Sequence, residues 1–429
     1  MTTIDRDILR LALPSIVSNI TVPLLGLCDV TIMGHIGGAS SIGAIAVGSM
    51  IFNVMYWLFV FLRMSTSGLT AQAYGGRRWE EARAIRRRGL LSALAVGGAM
   101  VVLQVPLRWL TFWLFQADGE VAVFCKPYYD ICIWGAPAVL GGYVLMGWFV
   151  GMQNTHYPMA IAIGQNVVNI ALSLLLVVGF GMGIRGLAVG TLVAQWGGFL
   201  AALALAPSCL SLRGVKEAVR EIPGVKGSFG LVRLEGVLFL RTLCLVSVNL
   251  YFTSAGAAQG ALILAANTLL MQFFMVYSYM MDGFANAGEA LAGRYLGAAD
   301  GVMLRLTVRR LFGWGVAVAL LFTVVYWLCG ASLLHLFTTD AAVVLVAQDY
   351  LPWAVLIPVA GLGAFVWDGI FIGTTLSRGM LLSCFIAAVA FFALWLLFSP
   401  SLHNHALWLA LLVYLAVRGL VQTVYWKNR

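Results

Sequence analysis

Apolar runs long enough to cross a bilayer recur from one end of this chain to the other, and that recurrence limits the fold more than any single motif does. About twelve can be read, at roughly 8–33, 43–73, 88–113, 122–152, 157–180, 184–206, 231–254, 260–294, 306–330, 342–373, 380–398 and 405–425. Hydrophobic residues make up 62% of the chain and charged residues 10%, with a mean hydropathy of +0.94. A soluble domain covers its surface with about a quarter charged residues, so this chain is built to face lipid. Hydrocarbon offers no partner to a backbone N–H or C=O, which leaves helices or closed barrels. The runs are too long and too uniform for barrel strands. The expected fold class is therefore an all-α polytopic membrane protein. Asp5, Arg6, Asp7 and Arg10 precede the first run, which continues past Thr31 with no small-residue cleavage site, so the first run is expected to stay as a span.

The net charge of +9 could suggest a nucleic-acid partner, but its placement excludes one. Basic residues gather on alternate connections: Arg77, Arg78, Arg83, Arg86, Arg87 and Arg88 after the second run, Arg213, Lys216, Arg220, Lys226 and Arg233 after the sixth, Arg305, Arg309 and Arg310 after the eighth. Arg378 follows the tenth, and Lys427 and Arg429 follow the last. The connections between them hold only Arg108, Lys126 and Arg185. This alternation predicts an even number of spans with both termini in the cytoplasm, and it reads the Arg77–Arg88 run as a solvated loop.

The chain also repeats. G-W-F-V-G at Gly147–Gly151 answers G-I-F-I-G at Gly369–Gly373 (369 − 147 = 222), and A-V-G-S at Ala46–Ser49 answers A-A-N-T at Ala265–Thr268 (268 − 49 = 219). Two six-helix bundles are expected, 1–206 and 231–429, joined by a cytoplasmic linker over 207–230. Such parallel repeats favour a transporter, in which two similar bundles expose a site alternately to each side.

Ionisable groups inside apolar runs are costly, so each is a functional candidate. Asp29 shares one face of the first span with Ser15, Asn19, Val22 and Gly26. Pro23 lies on that span and cannot bond the carbonyl of Asn19, so the helix can kink there. Carboxyls in hydrocarbon hold protons near neutral pH. Asp29 handles a proton or cation, or else pairs with a buried base. In the eighth span Met271, Met275, Tyr279, Asp282, Asn286 and Glu289 recur at helical spacing. Acid beside Met and aromatic surface suits a bulky organic cation, and the same residues could serve helix packing and hydrogen bonding. Asp368 lies in the tenth span. Arg63 and Arg241 are the matching bases, for which pairing with acids is the simplest, structural account. In the fifth span Asn166, Asn169 and Ser173 share a face, either for water and substrate or for neighbouring helices. The seven cysteines form no C-x-x-C pair and read as apolar fillers; the five histidines include no H-E-x-x-H, so no metal site is expected.

At these residues the sequence resembles the MATE family of multidrug and toxic-compound extruders, in particular its DinF-type branch. The resemblance lies at Leu9–Asp29, at F-L-R-M-S-T-S-G-L-T-A-Q-A (Phe61–Ala73), at M-D-G-F-A-N-A-G-E-A (Met281–Ala290), at W-D-G-I-F-I-G (Trp367–Gly373) and at N-H-A-L-W-L-A-L (Asn404–Leu411). It implies two six-helix bundles forming a V around a central cavity, and drug or cation antiport driven by H⁺ or Na⁺. It implies that the family's first-span acid is Asp29, with protonation linked to bending of that helix, that its eighth-span acids are Asp282 and Glu289, and that its tenth-span acid is Asp368. Family members often carry N-x-x-N-x-x-x-D in the fifth span. Here Asn166 and Asn169 match, but Ser173 stands at the Asp position.

A proton needs one carboxylate where Na⁺ needs several hard oxygens, so H⁺ is the expected coupling ion, with Na⁺ possible and no cofactor. Expected partners are amphipathic, cationic small molecules and membrane lipids, with no nucleic acid, for a monomer in the bacterial inner membrane. Rival readings are a flippase for lipids or lipid-linked precursors, which needs a cationic cavity, an intramembrane enzyme on a lipid substrate, and a channel.

Overall fold

A computed structural model describes residues 3–36, 39–115, 119–206, 226–338 and 340–428, with a few side chains inside these ranges, those of Asp29 and 226–233 among them, outside the description. The described residues are almost wholly helical and contain no strand. In chain order the helices are α1 (Thr3–Ile36), α2 (Ala39–Trp57), α3 (Phe61–Gly75), α4 (Trp79–Val102), α5 (Gln104–Leu114), α6 (Gly119–Cys132), α7 (Ala136–Gly151), α8 (His156–Leu174) and α9 (Gly183–Leu205). They continue with α10 (Lys226–Ala258), α11 (Ala261–Gly297), α12 (Gly301–Phe337), α13 (Ala341–Gly373), α14 (Ser377–Leu402) and α15 (Asn404–Lys427).

Ten segments among the described residues are long and apolar enough to cross a membrane, with α2 and α3 forming one and α6 and α7 another. At 34 residues α1 is about 51 Å long, ample for a further crossing. The third expected run, 88–113, is not one continuous helix. It breaks at Leu103, and α4 and α5 meet at 77°. Pro106 is the physical reason: it lacks an N–H and its ring clashes with the carbonyl of Val102, where α4 stops. Of the expected linker, 207–225 lie outside the described residues and 226–230 already belong to α10.

The chain divides into two compact units, residues 17–231 and residues 1–16 with 232–429. The start of α1 is tied into the second unit where Trp314 Nε1 donates to Asp5 Oδ1 at 3.3 Å and Arg310 stands 3.9 Å from the Asp5 carboxylate. Each unit has a hub. In the first, α7 packs on α3, α4 and α9; in the second, α13 packs on α11, α12 and α15. In both, the hub is the unit's fourth apolar span, and it meets the second, third and sixth.

The repeat found in the sequence is present in the contacts. A Cβ on Gly147 would run into the backbone of Arg63, and one on Gly151 into the Ser67 carbonyl. In the second unit a Cβ on Gly369 would run into Ala285 and one on Gly373 into the Glu289 carbonyl. The contacted residues share the offset of the glycines (285 − 63 = 222 and 289 − 67 = 222). Left-handed backbone recurs at the same offset in the connections, at Arg77 and Ala299, Gln153 and Thr375, and Gly181 and His403. At the first two pairs the helix end is closed by matching hydrogen bonds: Arg78 N–H to Ala73 O (2.8 Å) with Asp300 N–H to Tyr295 O (3.0 Å), and Asn154 N–H to Phe149 O (2.9 Å) with Leu376 N–H to Phe371 O (2.8 Å). The two halves are one backbone design carried by different side chains.

Because α13 approaches α11 through Gly369, Gly369→Ala is expected to cost about 1–3 kcal/mol and lower the apparent melting temperature of the purified protein. Gly142→Ala, on a part of α7 with open space, is expected to leave it unchanged or slightly raised. Thermal unfolding in detergent reads both.

Candidate functional site

In the first unit the polar residues of α8 form a chain of hydrogen bonds. Ser173 Oγ donates to Asn169 Oδ1 (3.2 Å), Asn169 Nδ2 donates to Thr191 Oγ1 on α9 (3.2 Å), and Thr191 Oγ1 donates to the Leu187 carbonyl (3.0 Å). Ser173 and Asn169 are buried, Ser173 against Gly190. They bond α8 to α9 rather than lining an open surface. One turn away, the half-buried Asn166 turns the other way and donates from Nδ2 to the carbonyl of Thr21 on α1 (3.2 Å). That acceptor lies two residues before Pro23. Proline supplies no N–H to the ladder at this point of α1, and an amide from α8 holds the strand of backbone beside it. Asn19 is half-buried on the same stretch. Asp29 lies two turns further along α1, its side chain outside the described residues.

In the second unit the α11 face passes from open to closed. Met275 is exposed, Tyr279, Asp282 and Asn286 are half-buried, and Glu289 is 1% exposed. The fourteen helical steps from Met275 to Glu289 cover about 21 Å. A polar and acidic stripe of that length, with Met and Tyr beside it, offers both charge and adaptable apolar surface.

Asp368 is arranged differently. On α13, it is ion-paired with Arg241 of α10 and with Arg418 of α15, the latter at 2.6 Å, and its second oxygen accepts from Gln422 Nε2 at 2.8 Å. Both arginines and Gln422 are buried. Three helices are thus joined through one carboxylate, and the cluster carries one more positive charge than negative. An acid held by two guanidinium groups is not a seat for an incoming cation. Asp368 is brought together with Arg241. Arg63 is half-buried on α3, where Gly147 packs on its backbone.

Arg418 and Gln422 were not singled out from the sequence. The signal was present: an arginine seven residues inside the end of the last apolar run, with a glutamine one turn later on the same face. A second buried polar cluster joins α11 to α15. Asn267 and Asn404 exchange amide hydrogen bonds at 2.8 and 2.9 Å, and Trp408 Nε1 donates to Asn267 Oδ1 at 2.9 Å. Asn404 and Trp408 lie in one of the segments that carry the resemblance, and Asn267 in one that carries the repeat. Arg86 corrects another expectation. Instead of lying on a solvated loop, it is on α4, 2% exposed, with its guanidinium 4.4 Å from the centre of the Trp148 ring.

The chain matches the MatE family model over residues 14–175 and 238–394. It is 38% identical to the DNA damage-inducible protein F of Escherichia coli (strain K12), over all of this chain and 93% of that protein. It is 25% identical to a probable multidrug resistance protein NorM of Synechocystis, over 74% of this chain and 69% of that one. Among solved structures, the outward-facing conformation of a multidrug resistance MATE family transporter of the MOP superfamily superposes with a TM-score of 0.88, covering 99% of this chain and 96% of its own, at 18% identity.

Removing the charge of Asp368 leaves two buried guanidinium groups without their counter-ion. Asp368→Asn is expected to destabilise the second unit by about 3–5 kcal/mol, with an apparent melting temperature well below wild type. Asp282→Asn, on the half-buried stripe, is expected to stay near wild type in the same thermal scan.

Proposed function

The chain belongs to the MATE family, in its DinF-type branch, and from that premise we propose that it is a secondary active exporter that antiports amphipathic organic cations against protons by alternating access. MATE proteins are transporters, so the chain is a multi-pass membrane transporter of small molecules and not an enzyme. The finer reading rests above all on the contrast between Asp368 and the α11 stripe. Asp368 is held by Arg241 and Arg418, so the cation-attracting role falls to Asp282 and Glu289, on the helix that also presents Met275 and Tyr279. Cation–π and sulfur contacts suit a flat, lipophilic cation better than a hydrated metal ion.

Proton coupling is assigned to Asp29. With Ser173 at the position where the family often has an acid, the first unit has one acidic residue on α1, Asp29, and an amide and hydroxyl chain on α8. One carboxylate suffices for a proton. Protonation would remove the negative charge, weaken cation binding and favour one conformation of α1. Asn166, on the Thr21 carbonyl beside Pro23, is placed to feel that change. Both termini in the cytoplasm, and an inner-membrane location, follow from the Lys and Arg distribution and from the bacterial relative. The excess positive charge around Asp368 favours one other reading, a flippase for anionic lipids.

Efflux of a fluorescent cation from proteoliposomes, driven in turn by a pH and a Na⁺ gradient, separates these readings. Efflux driven by pH alone and abolished in Asp29→Asn is the expected result. Asp29→Asn exporting at wild-type rate with unchanged pH dependence would remove Asp29 from the mechanism, and absence of cation efflux under either gradient, with anionic lipid translocated, would select the flippase.

A further inference from the structure

The broken third span carries an inference of its own. We propose that α5 is not part of a transmembrane crossing but an in-plane anchor, lying at the headgroup boundary of the leaflet opposite the arginine-rich connection and seated in phospholipid.

Two contacts between α4–α5 and α6–α7 set the depth. At one level Trp148 of α7 donates from Nε1 to the Ala82 carbonyl at 3.2 Å and lies under the Arg86 guanidinium. At the other, Arg108 of α5 is ion-paired with Asp130 of α6. Asp130 and Trp148 are eighteen residues apart on a span that is helical throughout, Val121–Gly151, which places the two levels about 27 Å apart. The hydrocarbon core is about 30 Å thick. With Arg86, Arg87 and Arg88 at one boundary, the Arg108–Asp130 pair therefore stands at the other. There α4 ends, Pro106 breaks the ladder, and the chain turns by 77°.

The faces of α5 fit that position. Its inner face is fixed: besides Arg108, Thr111 is buried and Phe112 packs edge-on against Tyr129 at 5.9 Å. Its outer face carries Val105, Trp109 and Trp113 at successive turns, exposed by 60%, 72% and 69%, with Leu114 beside them. In water this would be an apolar patch on an eleven-residue helix. Deep in hydrocarbon, the ion pair would be stranded. At the boundary both are satisfied, and tryptophan is the side chain that favours it. Lys126, exposed one turn beyond Asp130 on α6, adds a cation at the level of lipid phosphate.

A nitroxide attached through p-acetylphenylalanine at positions 105, 109 or 113, one at a time, leaves the native cysteines untouched. Its depth in vesicles of phosphatidylethanolamine and phosphatidylglycerol is read from collisions with oxygen and with a water-soluble nickel chelate. Three shallow depths within about 3 Å of one another are expected for a helix at 77° to α4. A helix continuing along α4 would instead give about 12 Å between 105 and 113 at 1.5 Å per residue. That gradient, three equal depths at the bilayer centre, or free access of the chelate to all three sites would each overturn the proposal. The unlabelled protein gives a second readout: the fluorescence lost in Trp109→Phe/Trp113→Phe should be quenched more by lipid brominated near the headgroup than near the chain end, and the reverse order would overturn the assignment.

Discussion

The structure depends on the absence of water from the hydrocarbon core. Each backbone donor and acceptor must find its partner within the protein, so the crossings are helices. Lipid then gives little hydrophobic reason for one helix to prefer another, and association falls to close packing and polar contacts. Both are visible at the hubs. Gly147 and Gly151 bring α7 onto the backbone of α3, and Gly369 and Gly373 bring α13 onto α11. Buried polar groups supply the rest: the Asn267–Asn404–Trp408 triad between α11 and α15, and the Ser173–Asn169–Thr191 chain between α8 and α9.

The same constraint divides the charges into two kinds. A buried ion must be paired or it destabilises the fold. Asp368 with Arg241 and Arg418 satisfies that rule and becomes a joint between α10, α13 and α15. A carboxylate that is to exchange a proton or meet a substrate cation cannot be held in that way, because two guanidinium groups already occupy it. The half-buried Asp282, on the α11 stripe, is assigned to the second kind by the proposed function. The proposed function thus separates an acid that holds helices together from acids that would meet a proton or a substrate.

Most of the fold was legible because hydropathy is a local property. Eleven of the expected runs lie along helices of closely matching extent, and the 222-residue offset reappears in contacts and turns. What was not legible depended on partners distant in sequence. Arg86 read as one of six solvated arginines because Trp148, which covers it, is sixty-two residues away. Arg418 gained its meaning only from Asp368 on another helix. Asn169 and Ser173 shared a face as expected, but whether that face met substrate or α9 turned on Thr191. The break at Leu103 was the exception. Pro106 announced it locally, and the uniform apolarity of 88–113 concealed it, since a helix lying at the membrane surface and one crossing it can have the same composition.

The repeat explains how one architecture can carry different chemistry in its two halves. The hub glycines approach main chain: Gly147 meets the backbone of Arg63, Gly369 that of Ala285 and Gly373 the carbonyl of Glu289, while Gly151 meets the Ser67 carbonyl together with the Thr70 side chain. Such a contact fixes the separation of two helices and leaves the side chain at the contacted residue unconstrained by it. Ser67 and Glu289 therefore occupy equivalent backbone seats with a hydroxyl in one unit and a carboxylate in the other, and Arg63 and Ala285 do the same with a cation and a methyl group. Had the hubs packed through interdigitating side chains, a change of charge at these seats would have moved the helices. Packed through glycine, the two units keep one geometry while their electrostatics differ, as the proposed antiport, with a proton site in one half and the acidic stripe in the other, requires.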